Sequence, residues 1–91
     1  MDVKKIIGWN LRYIRSERGL SQERLALEAQ IDRSYVGRVE RGMENVTVST
    51  LEAMATALNV PVSALFVEPQ PNAEKPKGLK AGRKSKQNTI T

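Results

Sequence analysis

Apolar residues recur every three or four positions along the first two thirds of the chain, and polar residues separate them. This spacing is typical of one face of an amphipathic helix. It predicts a first helix over about residues 2–18, which Gly19 is well suited to end. The apolar face of that helix consists of Val3, Ile7, Leu11 and Ile14. No stretch shows sustained alternation of apolar and polar residues, so we predict no β-strand.

Two short helices follow, and a residue type that favours helix beginnings precedes each of them. Ser21 and Asp32 are the N-cap candidates, and Gly42 is the expected end of the later helix. The residues expected to face inward are Leu25, Ala26, Ala29, Val36 and Val39. Only about four residues separate these two helices, which makes them neighbours in space.

The remaining apolar positions predict two more helices. Thr47 begins a fourth helix that runs to Leu58, and Pro61 opens a very short fifth helix that ends at Phe66. These elements predict an all-α fold, a compact five-helix bundle that forms one domain over residues 1–67.

Residues 68–91 differ in composition from this domain. They contain six Lys or Arg against two Glu, whereas residues 1–67 contain nine Lys or Arg against eight Asp or Glu. Three prolines, two glycines and few large apolar residues cannot form a core, so we predict a flexible basic tail. Such a tail either lies along DNA phosphates or is only a solubilising extension, and the absence of interleaved aromatic residues favours the second interpretation.

The composition excludes several classes of function. The chain contains no cysteine and no histidine, which removes disulfides, thiolate metal sites, the usual zinc ligand and the usual general base. It also lacks a glycine-rich phosphate loop and a carboxylate pair suited to acid–base work, so we expect no enzyme, metal, cofactor or small-molecule ligand. No apolar run approaches the roughly 20 residues of a membrane span, and we expect a cytoplasmic protein.

The second and third helices have the helix-turn-helix arrangement, in which the later helix lies in the DNA major groove. At about 100° per residue, one face of the third helix carries Arg33, Ser34, Gly37, Arg38 and Arg41. Arginine can donate two parallel hydrogen bonds to guanine, and it also pairs with phosphate. Glycine would allow the helix to approach base edges closely. Surface arginines are often merely solvated, and it is the joint pattern of caps, short turn and helix number that favours DNA binding.

Glu40 falls on the opposite face of that helix, beside Val36 and Val39. An unpaired buried carboxylate is very costly, so a partner is expected. Arg15, one turn beyond Leu11 on the first helix, is the best candidate. We therefore favour an Arg15–Glu40 ion pair over the alternative in which both side chains extend into solvent.

Three segments resemble the XRE/Cro-type helix-turn-helix family, which includes lambda-type phage repressors. They read LSQERLA, IDRSYVGRVERG and NVTVSTLEAMATALNVPVSALF, and the resemblance covers about residues 6–66. The resemblance implies a lambda repressor-like fold. Within the family, DRSYVGRVERGMENVT and the short remainder after the fifth helix are most similar to the small controller proteins of restriction–modification systems.

The resemblance also implies roles for individual residues. Gln22 would bind a phosphate and brace the third helix, and Arg15 with Glu40 matches a buried ion pair typical of the family. The residues implied to face base edges are Arg33, Ser34 and Arg38, with Gly37 on the same face. The residues implied to hold the DNA backbone are Arg41, Asn45 and Thr47. The hydroxyl of Tyr35 is placed for a phosphate contact, and packing against the second helix is an equal alternative.

The chain departs from the family pattern in two places. Gln30 stands in the turn after the second helix, where family members usually have glycine, and a left-handed backbone there would cost about 1 kcal/mol. Arg24 stands where a capping box would have Glu. These departures concern the geometry of the turn rather than the fold.

One recognition helix reads too few base pairs for useful specificity, so such proteins bind inverted repeats as two-fold dimers. The candidate dimer surface consists of Val60, Val62, Leu65 and Phe66, and an equal alternative is that these residues only close the core. The favoured function is a sequence-specific, homodimeric regulator that binds double-stranded DNA and acts on its own operon. An activator would also contact RNA polymerase, for which no residue gives a sign. The competing hypothesis is an antitoxin-like or adaptor protein whose main partner is another protein.

Overall fold

The computed structural model describes residues 2–69, which fold into four α-helices and one 3-10 helix without any strand. The α-helices are α1 (Val3–Glu17), α2 (Gln22–Ala29), α3 (Arg33–Glu40) and α4 (Val48–Leu58), and the 3-10 helix spans Val62–Phe66. The all-α expectation is confirmed. The fifth element is a 3-10 helix rather than an α-helix, since five residues after Pro61 leave room only for a tight turn in which Ala64 N–H bonds the Pro61 carbonyl. Residues 70–91 of the predicted basic tail lie outside the described residues.

Three of the four α-helices begin with a side-chain cap, and two of these caps, Ser21 and Thr47, were predicted. Asp2, Ser21 and Thr47 each accept the N–H of the residue three positions later, at 3.0, 3.0 and 3.2 Å. Asp32 occupies the N-cap position of α3, as predicted, but its side chain makes no capping hydrogen bond. Helix α3 instead begins from the carbonyl oxygen of Asp32, which accepts the N–H groups of Tyr35 and Val36.

All four α-helices end at a residue in the left-handed conformation. These residues are Gly19, Gln30, Gly42 and Asn59, with φ of 71°, 60°, 74° and 60°. After α2, the N–H groups of Gln30 and Ile31 return to the carbonyls of Leu27 and Ala26, at 3.3 and 2.9 Å. The turn thus has the geometry that favours glycine, and Gln30 adopts it in spite of a cost of about 1 kcal/mol.

Helix α1 is the element that connects α3 to the end of the domain. It packs on α3 at one side and on the 3-10 helix at the other, while α2 packs on both α3 and α4. Asn10 is buried in α1 and donates from its amide nitrogen to the carbonyls of Leu65 and Val67, at 3.1 and 2.7 Å. These hydrogen bonds attach the last described turn of the chain to α1. The core between the helices includes Leu11, Leu25, Val36, Val39, Met54, Leu58 and Leu65.

Candidate nucleic-acid interface

A buried ion pair fixes α3 against the other two helices of the N-terminal half. Arg15 donates from Nε to Glu40 Oε2 at 2.6 Å and from Nη2 to Glu40 Oε1 at 3.1 Å, and each side chain is only 4% exposed. Gln22, the first residue of α2, donates to the same Oε1 at 3.0 Å. Arg15 also donates to the carbonyl of Leu20 at 2.8 Å. The Glu40 carboxylate therefore joins α1, α2 and α3, and these contacts fix the orientation of α3 relative to the other two helices.

Gly37 lies in the angle between α2 and α3 rather than on the outer edge of α3. It is buried, and a methyl group placed on it would lie 3.3 Å from Arg41 Nη1 and 3.9 Å from the Gln22 amide. The side chains of Arg41 and Gln22 thus lie next to this position. Gly37 lines the same cleft as Arg33 and Arg41, and its predicted role in a close approach to base edges stays a prediction.

A polar cleft opens where α1, the beginning of α2 and α3 meet. Its cationic lining is Arg12, Arg33 and Arg41 in addition to Arg15, and its other polar lining includes Ser21, Gln22, Glu23 and Glu40. Arg15 and Glu40 neutralise each other, whereas Arg12, Arg33 and Arg41 form no ion pair with an acidic residue within residues 2–69. Three positive charges facing one Glu23 carboxylate leave the cleft electropositive, which suits it to an anion such as a phosphate group.

Arg12 is a residue of this cleft that sequence analysis missed. It lies on α1, outside the helix-turn-helix segment, and its Nε atom is buried without a hydrogen-bond partner among residues 2–69. Its position one turn before Arg15 was the available signal, since residues three apart lie on the same side of a helix. The signal was weak because α1 carries Lys or Arg at several positions.

Arg38 stands apart from that cleft, on the side of α3 that faces the following loop. Its Nε donates to Glu44 Oε2 at 2.5 Å, and its guanidinium carbon lies 5.6 Å from the centre of the Tyr35 ring. Tyr35 is half-buried against the core. Burial raises the pKa of the Tyr35 phenol above 10.0, and Glu44 raises it further, while Arg38 and a hydrogen bond with Thr50 act in the opposite direction. Tyr35 thus packs into the fold and supports Arg38.

The other predicted contact residues lie around α3 on the surface. Arg33, Ser34, Asn45 and Thr47 are exposed. Arg33 belongs to the cationic cleft, Ser34 begins the first turn of α3, and Asn45 lies in the loop before α4. The hydroxyl oxygen of Thr47 accepts the N-capping hydrogen bond of α4. A phosphate contact from Thr47 would therefore use a hydroxyl group that already caps this helix.

The candidate dimer residues divide between the core and the surface. Leu65 is fully buried and closes the core, so this residue does not form part of a surface. Val60 and Val62 pack partly against the core, and Phe66 is 43% exposed.

Sequence analysis missed an aromatic pair on the outer side of α1, where the Trp9 and Tyr13 rings stack with centroids 5.2 Å apart. Their spacing of four residues on a polar helix was the available signal.

Residues 11–65 match the HTH_3 family, described as helix-turn-helix. The chain belongs to this family. The matched segment contains the last seven residues of α1, all of α2, α3 and α4 and almost all of the 3-10 helix. The resemblance to XRE-type regulators that the sequence suggested is therefore confirmed. Among the helices within residues 2–69, none combines the length and the apolar character that a membrane span requires.

Named relatives include controller proteins and transcription factors. The control protein C.SmaI of Serratia marcescens is 48% identical over 66 residues, which cover 72% of this chain and 79% of that protein. The Neisseria hypothetical transcription factor of Neisseria meningitidis serogroup B is 41% identical over 69 residues, 76% of this chain and 65% of its own length. The controller protein C.Esp1396I, solved as a tetramer in complex with its natural 35 base-pair operator, has a TM-score of 0.66 at 30% identity, covering 72% of this chain and 87% of that chain. The predicted similarity to restriction–modification controllers is confirmed.

Proposed function

We propose that this HTH_3 protein is a sequence-specific transcriptional regulator that inserts α3 into the major groove of DNA. The observation that carries the proposal is the α2–α3 pair, which the Arg15–Glu40–Gln22 cluster holds together and beside which Arg33 and Arg41 line a cleft without an acidic partner within residues 2–69. A rigid short helix with arginines on its exposed side fits the width of the major groove. The likeness to C.Esp1396I, a controller solved in complex with its operator, supports binding to operator DNA.

Base reading and backbone binding fall to two different groups of arginines. Arg38 is held by Glu44 and Tyr35 on one side of α3, where a defined orientation suits it to a guanine edge. Arg33 and Ser34 begin α3 and would contact neighbouring bases. Arg12 and Arg41 lie in the cationic cleft with Gln22, and a backbone phosphate there would gain charge-assisted hydrogen bonds. Asn45, Thr47 and the Tyr35 hydroxyl would complete the backbone contacts.

A homodimer would supply the specificity that one recognition helix lacks. Two copies on an inverted repeat would place their α3 helices about 34 Å apart, or at a multiple of that distance. The exposed part of the predicted dimer surface is Phe66, with Val60 and Val62 beside it. The assembly of C.Esp1396I as a tetramer on 35 base pairs supports self-association on paired sites. Since controllers are among the relatives, we infer action on the operon that encodes the protein itself.

Selection from a random duplex pool, followed by sequencing of the bound fraction, tests this function. Enrichment of an inverted repeat is the expected result. Arg38→Ala should lose about 1–3 kcal/mol on the enriched site and relax the preference at one position of each half-site. Arg41→Ala and Arg12→Ala should instead weaken binding to all sequences alike and reduce the salt slope by about 1.

Two outcomes would contradict the proposal. A pool without enrichment would mean that DNA binding is confined to the backbone, and the search would turn to a protein partner. Equal losses for Arg38→Ala on the selected site and on a scrambled duplex would show that Arg38 does not read a base.

A further inference from the structure

The loop after α3 returns toward the helix and brings a carboxylate to Arg38. Gly42, at φ 74°, reverses the chain, and the N–H of Met43 bonds the carbonyl of Arg38 itself at 2.9 Å. Glu44 follows and accepts the Nε–H of Arg38. This contact joins the residue proposed to read a base to an acidic residue that sequence analysis assigned no role.

Glu44 occupies one edge of the Arg38 guanidinium and leaves the other edge free. Glu44 accepts from Nε alone, and within residues 2–69 the two terminal nitrogens of Arg38 donate no hydrogen bond. Two parallel donors are what guanine O6 and N7 require, and the terminal nitrogens provide them. The Tyr35 ring, 5.6 Å from the guanidinium carbon, limits movement on a second side. The arginine is therefore oriented before DNA arrives, which lowers the entropy lost on binding.

Stability of the fold does not account for this ion pair. The Arg38 and Glu44 side chains are 42% and 24% exposed. Exposed pairs of this kind contribute little to stability because water and salt screen them. The same carboxylate has a large effect on nucleic acid, since a negative charge beside the groove repels phosphates. Arg38 with Glu44 thus adds no net positive charge to the interface, in contrast to Arg12 and Arg41.

We infer that Glu44 is a specificity-determining residue that acts through Arg38. It orients the guanidinium toward one base and prevents the same arginine from binding phosphates on unrelated sequences. In this way the protein gains discrimination between sequences at the expense of general affinity. The inference rests on the proposed function, because it requires Arg38 to face a base in the complex.

Glu44→Ala tests the inference when compared with the matched variant Glu52→Ala, which removes an exposed carboxylate from α4. Binding is measured on the selected operator, on operators changed at the base that Arg38 reads, and on a scrambled duplex, over a range of salt concentrations. For Glu44→Ala we expect discrimination at that one base to fall at least about fivefold. Binding to the scrambled duplex should strengthen, with a salt slope larger by about 0.9, as one more cation meets a phosphate. Glu52→Ala should leave both quantities unchanged.

The double variant Arg38→Ala/Glu44→Ala separates positioning from a general effect of charge. If Glu44 acts through Arg38, its replacement should have no further effect on base preference in the Arg38→Ala background. An undiminished effect in that background would overturn the inference, as would a Glu44→Ala protein with wild-type discrimination. If Arg38→Ala alone leaves base preference unchanged, the base-reading part of the proposed function fails instead.

Discussion

Gly8→Ala is the substitution whose effect follows most directly from the packing of α1 on α3. A methyl carbon on Gly8 would lie 2.4 Å from the carbonyl oxygen of Val39 and 2.8 Å from that of Glu40. Both oxygens belong to the backbone of α3, so no side-chain rotation can relieve the contact. Since carbon and oxygen approach without strain to about 3.3 Å, the two helices would have to separate by roughly 1 Å.

The cost of that separation can be set against the higher helix propensity of alanine. Overpacking of a close helix contact costs about 1–3 kcal/mol, and alanine recovers about 0.5–1 kcal/mol in a helix interior. The difference spans about 0–2.5 kcal/mol, and since both contacted oxygens belong to the backbone we expect a net loss of about 1–2 kcal/mol, above the low end of that range. In a domain of this size, each kcal/mol corresponds to about 4–8 °C, so the Tm should fall by about 5–15 °C. Displacement of Glu40 would also lengthen its hydrogen bonds with Arg15, and this would lower the stability of the protein further.

Thermal unfolding followed by circular dichroism measures this effect, and Gly37→Ala is the matched control. A methyl group on Gly37 would meet only the ends of flexible side chains, Arg41 at 3.3 Å and Gln22 at 3.9 Å. The Tm of Gly37→Ala should equal or exceed that of the unmodified protein, because alanine favours the helix. A Gly8→Ala protein that melts at or above the unmodified protein would refute the reasoning, as would equal losses for both variants.

Two further substitutions test the centre and the turn of the helix-turn-helix. Glu40→Gln leaves the buried charge of Arg15 without its partner and should cost about 3 kcal/mol or more in urea unfolding. Glu28→Gln, in the exposed pair with Arg24, should cost less than about 1 kcal/mol, and similar losses for the two would contradict the role of burial. Gln30→Gly should raise the free energy of unfolding by up to about 1 kcal/mol by removing a side chain from a left-handed position. Asn59→Gly, at the same φ of 60°, should gain less because asparagine tolerates this conformation better, and a lower Tm for Gln30→Gly would show that the Gln30 side chain stabilises the turn.

Features that depend on neighbouring residues could be predicted from the sequence. Ser21 and Thr47 cap their helices as expected, because a capping side chain reaches an N–H only three residues away. Gly19 and Gly42 end α1 and α3 for an equally local reason. The Arg15–Glu40 pair is a long-range contact, yet helical periodicity placed both residues on inward faces, and burial of one charge requires the other.

Features that depend on how the helices cross could not be predicted in this way. Gly8 gives no local sign of its role, since only the approach of α3 makes the missing side chain necessary. Asn10 reads as an ordinary polar position, and its burial follows from the return of the chain past α1. The burial of Gly37 beside Arg41 and Gln22, and the closing of the core by Leu65, likewise arise from the way the helices pack together.

The sequence by itself thus determined an all-α chain with a helix-turn-helix and an arginine-rich third helix, because periodicity, caps and charge act over three or four residues. Tertiary structure decided how those arginines divide into two groups. The packing of α1 on α3 places Arg12 beside Arg41 and Gln22 in one cleft, and the left-handed turn at Gly42 places Glu44 against Arg38. These arrangements depend on the angles between the helices and on the path of the loop after α3. The spacing of residues along the sequence specifies neither of them.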